Sequence, residues 1–510
     1  MLKRIKAAKN IHVVGVSGTE GAAIALFLKK MGLNFTAHDF SPEQKFERNF
    51  KANHFGYPAA KREKMLTKVL AFRERIRFAE RYLAEIEKAD LIFVSQNWEA
   101  YSPNQKLRSI YAKSPEKFAT ITQLYFALFP GKIIAVTGTN GKSTTTKLIA
   151  EIMFASPARA GQVDKRVDTS RQQMDIRVYF TGNDRRNIQI LDQLEKWSKR
   201  DWLVIEVSNR QLKFPLERAP EIGVITNVSP NHLNEYIGGF SAYKKGKLSL
   251  IARQKSNAIS VLNYDNITTR SFIKKLKSKP LFFSTREKLP HSVRAGVYIE
   301  DGWIVERHCA VYSPSSRQSR PSRICPLDKV QLIGEHNLSN ILAAIAATRA
   351  AGVSRKIICE IIMKFRGIPQ RLEFVFARHG VKFVNDSAST TPESTVAALR
   401  SFPGKRIHLI AGGESKGMEY VELAREIRRQ KTCPILLASP LAELLGPELK
   451  KVKVEFKLVK NLQEAIKISA QNAVNGDIVL LSPAAAWFCY FADKIPLGGR
   501  GFEQFAKALA

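Results

Sequence analysis

At 510 residues, with 45% hydrophobic and 25% charged side chains, the chain is globular in composition and too long for one core; length alone implies about three domains. Five cysteines (Cys309, Cys325, Cys359, Cys433 and Cys489) lie scattered without C-x-x-C spacing, which argues against a disulfide framework or zinc site and fits a reducing compartment. The net charge of +35, from 81 Lys and Arg against 46 Asp and Glu, is spread along the chain with mild clusters at 61–81 and 316–323 and no interleaved basic-aromatic platform. A general basic bias, or a field that attracts anionic substrates, is favoured over nucleic-acid binding.

No run approaches the roughly 18 apolar residues of a membrane span, and the basic start "MLKRIKAAKNIHVVGVSG" lacks a signal-like apolar region. A soluble, cytoplasmic protein without membrane contact is expected.

In chain order, "IHVVG" (11–15) reads as a buried strand, "GVSGTEG" as a turn and 21–32 as a helix closed by glycine. "NFTAHD" is a second strand ending at Asp39. The opening is Rossmann-like, with Gly15, Gly18 and Gly21 spaced GxxGxxG rather than GxGxxG. Apolar residues from Met65 to Ile86 recur at spacings of four and three, which predicts a long helix over about 61–88, followed by strand "ADLIFVS" (89–95). A second α/β unit starts near 130 with strand "KIIAV", a glycine loop and a helix from Lys142. Strands "WLVIEVS", "EIGVITNVS" and "NAISVLN" follow, then β-hairpins over about 284–330. From about 370, strands "VKFVND", "RIHLIAGG", "CPILLAS" and "DIVLLS" alternate with helices. The expected fold is α/β with three domains in series: a Rossmann-like 1–129, a central P-loop ATPase-type 130–369 and a Rossmann-like 370–510.

The loop "AVTGTNGKSTTTKL" (135–148) departs from the general glycine, four residues, Gly-Lys-Ser/Thr pattern. Gly141, Lys142 and Ser143 are present, but Val136 holds the first glycine's place and the glycine sits at Gly138. A strand, a glycine turn and a helix start still aim backbone N–H groups and a positive helix end at phosphate. Lys142 can reach β/γ-phosphates, and Ser143 or Thr144 can hold Mg²⁺. Glu206, closing "LVIEVSN", and His232, in "NVSPNHLNEY", sit where ligands of open α/β sheets gather, at carboxyl ends of strands; both are candidate metal ligands.

"TGTNGKSTTTKL" resembles the ATP loop of the Mur ligases and their folylpolyglutamate synthetase relatives. Further segments agree in order: "NVSPNHLNEYIGGFSAYKKGKLSLI", "VLNYDN", "LIGEHNLSNILAAIAA", "FRGIPQRLEFV" and "VKFVNDSASTTPESTVAAL". "LIAGGESKGMEY" and "VLLSPAAAWFCYF" look most like the members that add D-glutamate to UDP-N-acetylmuramoyl-L-alanine.

The resemblance implies that Gly138, Thr139, Asn140, Gly141, Lys142, Ser143 and Thr144 bind ATP, with Asn337, Asn340, Arg371 and Asp386 holding adenosine and phosphate. Two Mg²⁺ ions would be served by Ser143, Glu206, His232 and Lys247, the last as a carbamylated lysine. Gly15, Ser17, Gly18, Asp39 and Asn183 would bind the UDP-sugar; Thr390, Lys416 and the position of Trp487 would meet the amino acid. The sequence departs from the family's pattern at Asn231 and Asn234, which replace aspartates, at Ala388, which replaces a lysine, and at Trp487, which replaces a serine.

The implied activity is ATP-dependent amide ligation through an acyl phosphate in peptidoglycan precursor synthesis, by a monomer. Two alternatives stand beside it: a ligase of the same superfamily with another amino acid or acceptor, and a catalytically impaired, basic, nucleic-acid-associated descendant.

Overall fold

Continuous apolar runs build parallel strands covered on both faces. β1 (Ile11–Val14), β2 (Thr36–Asp39), β3 (Ile76–Phe78), β4 (Leu91–Phe93) and β5 (Phe118–Ala119) pair in the order β3-β2-β1-β4-β5, all parallel. The computed structural model describes residues 1–156, 176–182, 187–230, 236, 238–286, 288–307, 321–332, 334–415 and 418–485.

A nine-stranded sheet follows: β6 (Lys132–Thr137), β7 (Val178–Gly182), β8 (Trp202–Glu206), β9 (Ile222–Ile225), β10 (Ile259–Asn263), β11 (Lys279–Phe283), β12 (Gly296–Glu300), β13 (Trp303–Arg307) and β14 (Ser322–Pro326). Its order is β14-β13-β12-β11-β10-β9-β6-β8-β7. The pairings from β7 to β12 are parallel, and β12, β13 and β14 are the antiparallel ribbon expected over 284–330. The third sheet joins β15 (Glu373–Arg378), β16 (Val381–Asn385), β17 (Ile407–Ala411), β18 (Cys433–Leu437), β19 (Lys457–Val459) and β20 (Ile478–Leu481) in the order β15-β16-β20-β17-β18-β19. Only its β15–β16 pair is antiparallel.

Two compact units result: Met1–Lys329 with Ser339–Met363, and Val330–Leu338 with the chain from Lys364 onward. In the first unit, one apolar core serves both sheets. The helix Ile121–Leu128, started by a Thr120/Gln123 capping box, sends Tyr125 into it among Phe129, Tyr179 and Trp197. The Tyr125 hydroxyl is satisfied there, donating to Gln189 Oε1 at 2.9 Å and accepting from the Ile190 N–H at 2.9 Å. The second unit has its own apolar clusters on the two faces of its sheet, around Leu409, Leu436 and Leu480 and around Ile435, Val479 and Leu481.

The long helix expected over 61–88 is corrected. A helix runs only over Ala59–Leu70; the chain then turns into β3, whose Ile76, Arg77 and Phe78 pair with Ala37, His38 and Asp39. Ala79, Leu83 and Glu85 take positive φ of 35°, 59° and 60°, which no right-handed helix admits. The three-and-four spacing was real but served two structures: Met65 and Val69 on the helix, then Phe72, Ile76 and Leu83 in the strand and its flanks. Pairing at the edge of a sheet outweighed local helical pattern. Among the described residues no helix is long and apolar enough to cross a membrane.

Candidate active site

β6 delivers the glycine loop to the start of the helix Lys142–Ala155, whose N-cap Gly141 (φ 82°) offers no side chain to the first-turn N–H groups. A helix start without a side-chain cap is the arrangement that receives an anion on its backbone N–H groups. Gly141 is required twice over, because a Cβ there would sit 2.9 Å from Cγ of Asn340 and closer still to its Oδ1. Gly138 faces Thr226 in the same way.

The loop's outer edge is clamped by the segment after β9. Asn227 accepts from the Asn140 N–H through Oδ1 at 3.0 Å and from the Thr139 N–H through its carbonyl at 2.9 Å. Thr226 Oγ1 donates to the Asn140 carbonyl at 2.6 Å. The Lys142 ammonium donates to the carbonyls of Gly138 and Thr139 at 3.1 and 2.9 Å, so it lies within the loop. Ser143 follows on the first turn, half-buried, and Thr144 is buried. Asn340 is also buried and accepts from Thr145 Oγ1 at 3.5 Å, which places it beside the loop.

Lys247 lies on the helix Gly239–Ala252 and is fully buried, 0% exposed. Its Nζ donates to Thr137 Oγ1 at 3.2 Å and stands 5.3 Å from the ring centroid of Tyr243, one turn earlier. Burial first, then the nearby Lys142 cation, pushes its pKa far below the ordinary lysine value, while Glu206 pulls the other way. An amine in that environment is held toward its neutral, nucleophilic form. Glu206 is buried at the end of β8 and pairs in register with Gly182 of β7, where a Cβ would crowd it at 2.8 Å from its own Cβ. The loop, Lys142, Glu206 and Lys247 therefore share one end of one sheet. His232 lies outside the described residues, as do Asn231 and Asn234.

The residue set fits Mg²⁺. This cation keeps several waters and is held by one or two carboxylates plus substrate phosphates rather than by an all-protein cage; the Glu206 carboxylate and the Ser143 hydroxyl are oxygen donors of the kind it takes, at the same end of the sheet as the glycine loop.

In the first sheet the strand order reverses beside β1, and a cleft of about 320 Å³ opens over the carboxyl ends of β1 and β4, the usual ligand position in open α/β sheets. Gly15 (φ 79°), Ser17 and Gly18 line it. Gly21 lets the helix Thr19–Lys30 approach the turn, since a Cβ there would meet the Gly15 carbonyl carbon at 2.7 Å. Asp39 is fully buried and organises the turn: its carboxylate accepts from the Ser17 N–H at 2.8 Å and the Ser41 N–H at 3.1 Å. Asn183 lies outside the described residues.

Sequence reasoning missed the cleft's aromatic wall. Phe40 and Tyr101, 44% and 38% exposed, stand 5.7 Å apart with Tyr82 beside Phe40. The available signal was Phe40 itself, an apolar ring directly after the strand-terminal Asp39. It also missed Glu20, buried and accepting from the Gln96 N–H at 3.0 Å, and Tyr243, one turn before Lys247.

In the second unit Asp386, at the end of β16, is buried and accepts from Ser482 Oγ at 2.8 Å and the Leu372 N–H at 3.1 Å. Burial raises its carboxyl to about 6, opposed by hydrogen bonds from Ser389 and Ser482 and by Arg371, which is exposed. Thr390, four residues beyond Asp386, is half-buried, and Asn337 is buried on the helix Glu335–Ala350. Lys416 and Trp487 lie outside the described residues.

A parallel sheet, an uncapped glycine loop and a buried lysine and glutamate behind it define an α/β nucleotide-binding protein of the phosphate-loop class. A family model described as the Mur ligase middle domain matches residues 136–348, and one described as Mur ligase, glutamate ligase domain, matches 370–485. The UDP-N-acetylmuramoylalanine–D-glutamate ligase of Caldicellulosiruptor bescii is 30% identical over 502 residues, 98% of either chain. That of Natranaerobius thermophilus is 34% identical over 381 residues, 74% of either chain. The solved UDP-N-acetylmuramate–alanine ligase MurC of Thermotoga maritima matches with a TM-score of 0.56 at 17% identity, over 98% of this chain and 99% of that one; at that identity the likeness is one of fold. The chain belongs to the Mur ligase family.

Proposed function

We propose that the protein is an ATP-dependent ligase of peptidoglycan synthesis that joins D-glutamate to UDP-N-acetylmuramoyl-L-alanine. The observation that carries this reading is the match to relatives bearing that name along 98% of both chains. The site supports it: the expected ATP loop, with Lys142, stands beside buried Glu206 and Lys247.

ATP would transfer its γ-phosphoryl group to the substrate's alanine carboxylate, releasing ADP and leaving an acyl phosphate. The D-glutamate amine would attack that carbonyl, and the tetrahedral intermediate would expel phosphate and lose a proton to give the amide. Catalysis of this kind is mostly positioning and charge neutralisation, and the chain's residues are suited to both. Backbone N–H groups from Gly141 to Thr144 and the Lys142 ammonium would hold the phosphates. The Thr226–Asn227 clamp would keep the loop in shape, and Asn337, Asn340, Arg371 and Asp386 would hold the rest of the nucleotide. Mg²⁺, held by Ser143, Glu206 and His232, would neutralise charge on the phosphates.

Lys247 would be carbamylated: its neutral amine adds to CO₂, forming an N–C bond and releasing one proton, and so becomes an oxygen ligand for a second Mg²⁺. Gly15, Ser17 and Gly18, with Asp39 fixing their turn, would receive the UDP-sugar together with Asn183. Thr390 and Lys416 would bind the amino acid's carboxylate beside Trp487. Cytoplasmic location and action as a monomer follow from the same reading. Phosphate release from ATP with UDP-N-acetylmuramoyl-L-alanine, screened across amino acids, tests it: D-glutamate is expected to support turnover, and turnover with a different amino acid alone overturns the assignment.

A further inference from the structure

A second groove, about 720 Å³ in volume, lies in the first unit between the helices Thr19–Lys30 and Ala59–Leu70, with the segment at 189–192. It shares only Gln189 with the cleft over β1 and β4. Each helix turns one face to it. Ala23, Leu26, Phe27 and Lys30 are spaced i, i+3, i+4, i+7, and so are Lys61, Lys64, Met65 and Lys68, the spacing of a single helical face. The apolar lining comes chiefly from Leu26, Phe27, Met65 and Leu191, while the charged lining is basic except for Asp192.

The lysines are not equivalent. Lys30 pairs with Glu195 at 2.8 Å and Lys61 with Asp192 at 3.5 Å, which also neutralises the groove's one acid. Lys29 donates to the Ala71 carbonyl at 3.4 Å and lies over the Phe72 ring. Lys64 and Lys68 are exposed, and their side chains have no ion pair or hydrogen bond among the described residues. Two uncommitted ammonium groups one turn apart, above an apolar trough, suit an anionic head joined to an apolar chain.

Size selects against a protein partner. A twelve-residue helix is about 18 Å long and packed helices lie roughly 8–10 Å apart, a footprint under about 200 Å², against the roughly 800 Å² per partner of a stable protein interface. The volume is that of a small-molecule pocket. We propose that this groove binds a single-chain anionic amphiphile, its phosphate head on Lys64 and Lys68 and its alkyl chain along Leu26, Phe27, Met65 and Leu191. The proposal is independent of the ligase reading.

Calorimetric titration of the full chain with octyl, decyl and dodecyl phosphate, each below its micelle concentration, tests it. One site is expected, with affinity rising roughly tenfold per two methylenes added and falling with salt. The double variant Lys64→Glu/Lys68→Glu should weaken dodecyl phosphate at least tenfold. Ala60→Trp, at an exposed position lining the groove, should block binding with the charges intact; circular dichroism of each variant verifies its fold. Four results overturn the proposal: inorganic phosphate binding as tightly as dodecyl phosphate, indifference of folded protein to both variants, competitive displacement by uridine diphosphate, or binding to phosphatidylglycerol vesicles with none to the monomeric amphiphile.

Discussion

Gly141→Ala perturbs the glycine loop at its most constrained point. The residue sits at φ 82°, and a Cβ would lie 2.9 Å from Asn340 Cγ and closer to Oδ1. The left-handed backbone costs alanine about 1–2 kcal/mol, and forcing the buried Asn340 aside adds about 1–3 kcal/mol, for a total near 3 kcal/mol. The two costs separate in a double-mutant cycle: in an Asn340→Ala background the second disappears, and Gly141→Ala should cost only about 1–2 kcal/mol. Urea unfolding of the first unit, followed by fluorescence of its buried Trp197 and Trp202, reads both numbers. Equal costs in the two backgrounds would show that Asn340 does not pack on the loop, and no cost in either would refute the backbone argument as well.

Lys247→Ala should lower kcat at least a hundredfold while leaving the fold intact, with partial recovery in propionate; a folded variant that no short carboxylate rescues contradicts the carbamate. In the first sheet, the His12 and His38 rings on the neighbouring strands β1 and β2 are in contact at 2.8 Å, and burial lowers their pKa values to about 4 and about 3. Because both lie below the unfolded value near 6.5, the unfolded state takes up protons first. Their stabilisation is therefore complete above pH 6.5 and is lost as pH falls toward 4, about 2 kcal/mol per ring between pH 7 and 5. The urea midpoint should fall over that range, and fall less in His12→Asn; an identical fall in both proteins refutes the assignment. Phe40→Ala should raise KM for the UDP-sugar about fivefold to tenfold and leave KM for ATP unchanged; a selective effect on ATP would place the aromatic wall elsewhere.

The sequence was most legible where chemistry demands a particular residue in a particular backbone state. Gly138 and Gly141 marked the loop because side chains there collide with Thr226 and Asn340, and Glu206 could be placed because β8 ends at it. The helix over 61–88 was misread because a stripe spaced by three and four residues is apolar in a helix and also when divided between a helix and the edge of a sheet; the deciding facts, pairing of β3 with β2 and left-handed Ala79, are not local. The aromatic wall and the lysine-rimmed groove were hidden for a related reason. Phe40 meets Tyr101, and Leu26 and Met65 come to line one groove, only after the sheet and its helices assemble. The carboxylate of Asp39 accepts from the Ser17 and Ser41 N–H groups, contacts that depend on the fold of the turn and that its place after a strand does not reveal.

Activation of the substrate's carboxylate by ATP at this loop leaves an isotopic trace in the phosphate. UDP-N-acetylmuramoyl-L-alanine carrying ¹⁸O in its terminal carboxylate, incubated with ATP, Mg²⁺ and D-glutamate, tests it by mass spectrometry of the phosphate released. One ¹⁸O atom is expected in each phosphate, matched by equal formation of the amide. Unlabelled phosphate, or phosphate released without amide, would contradict it.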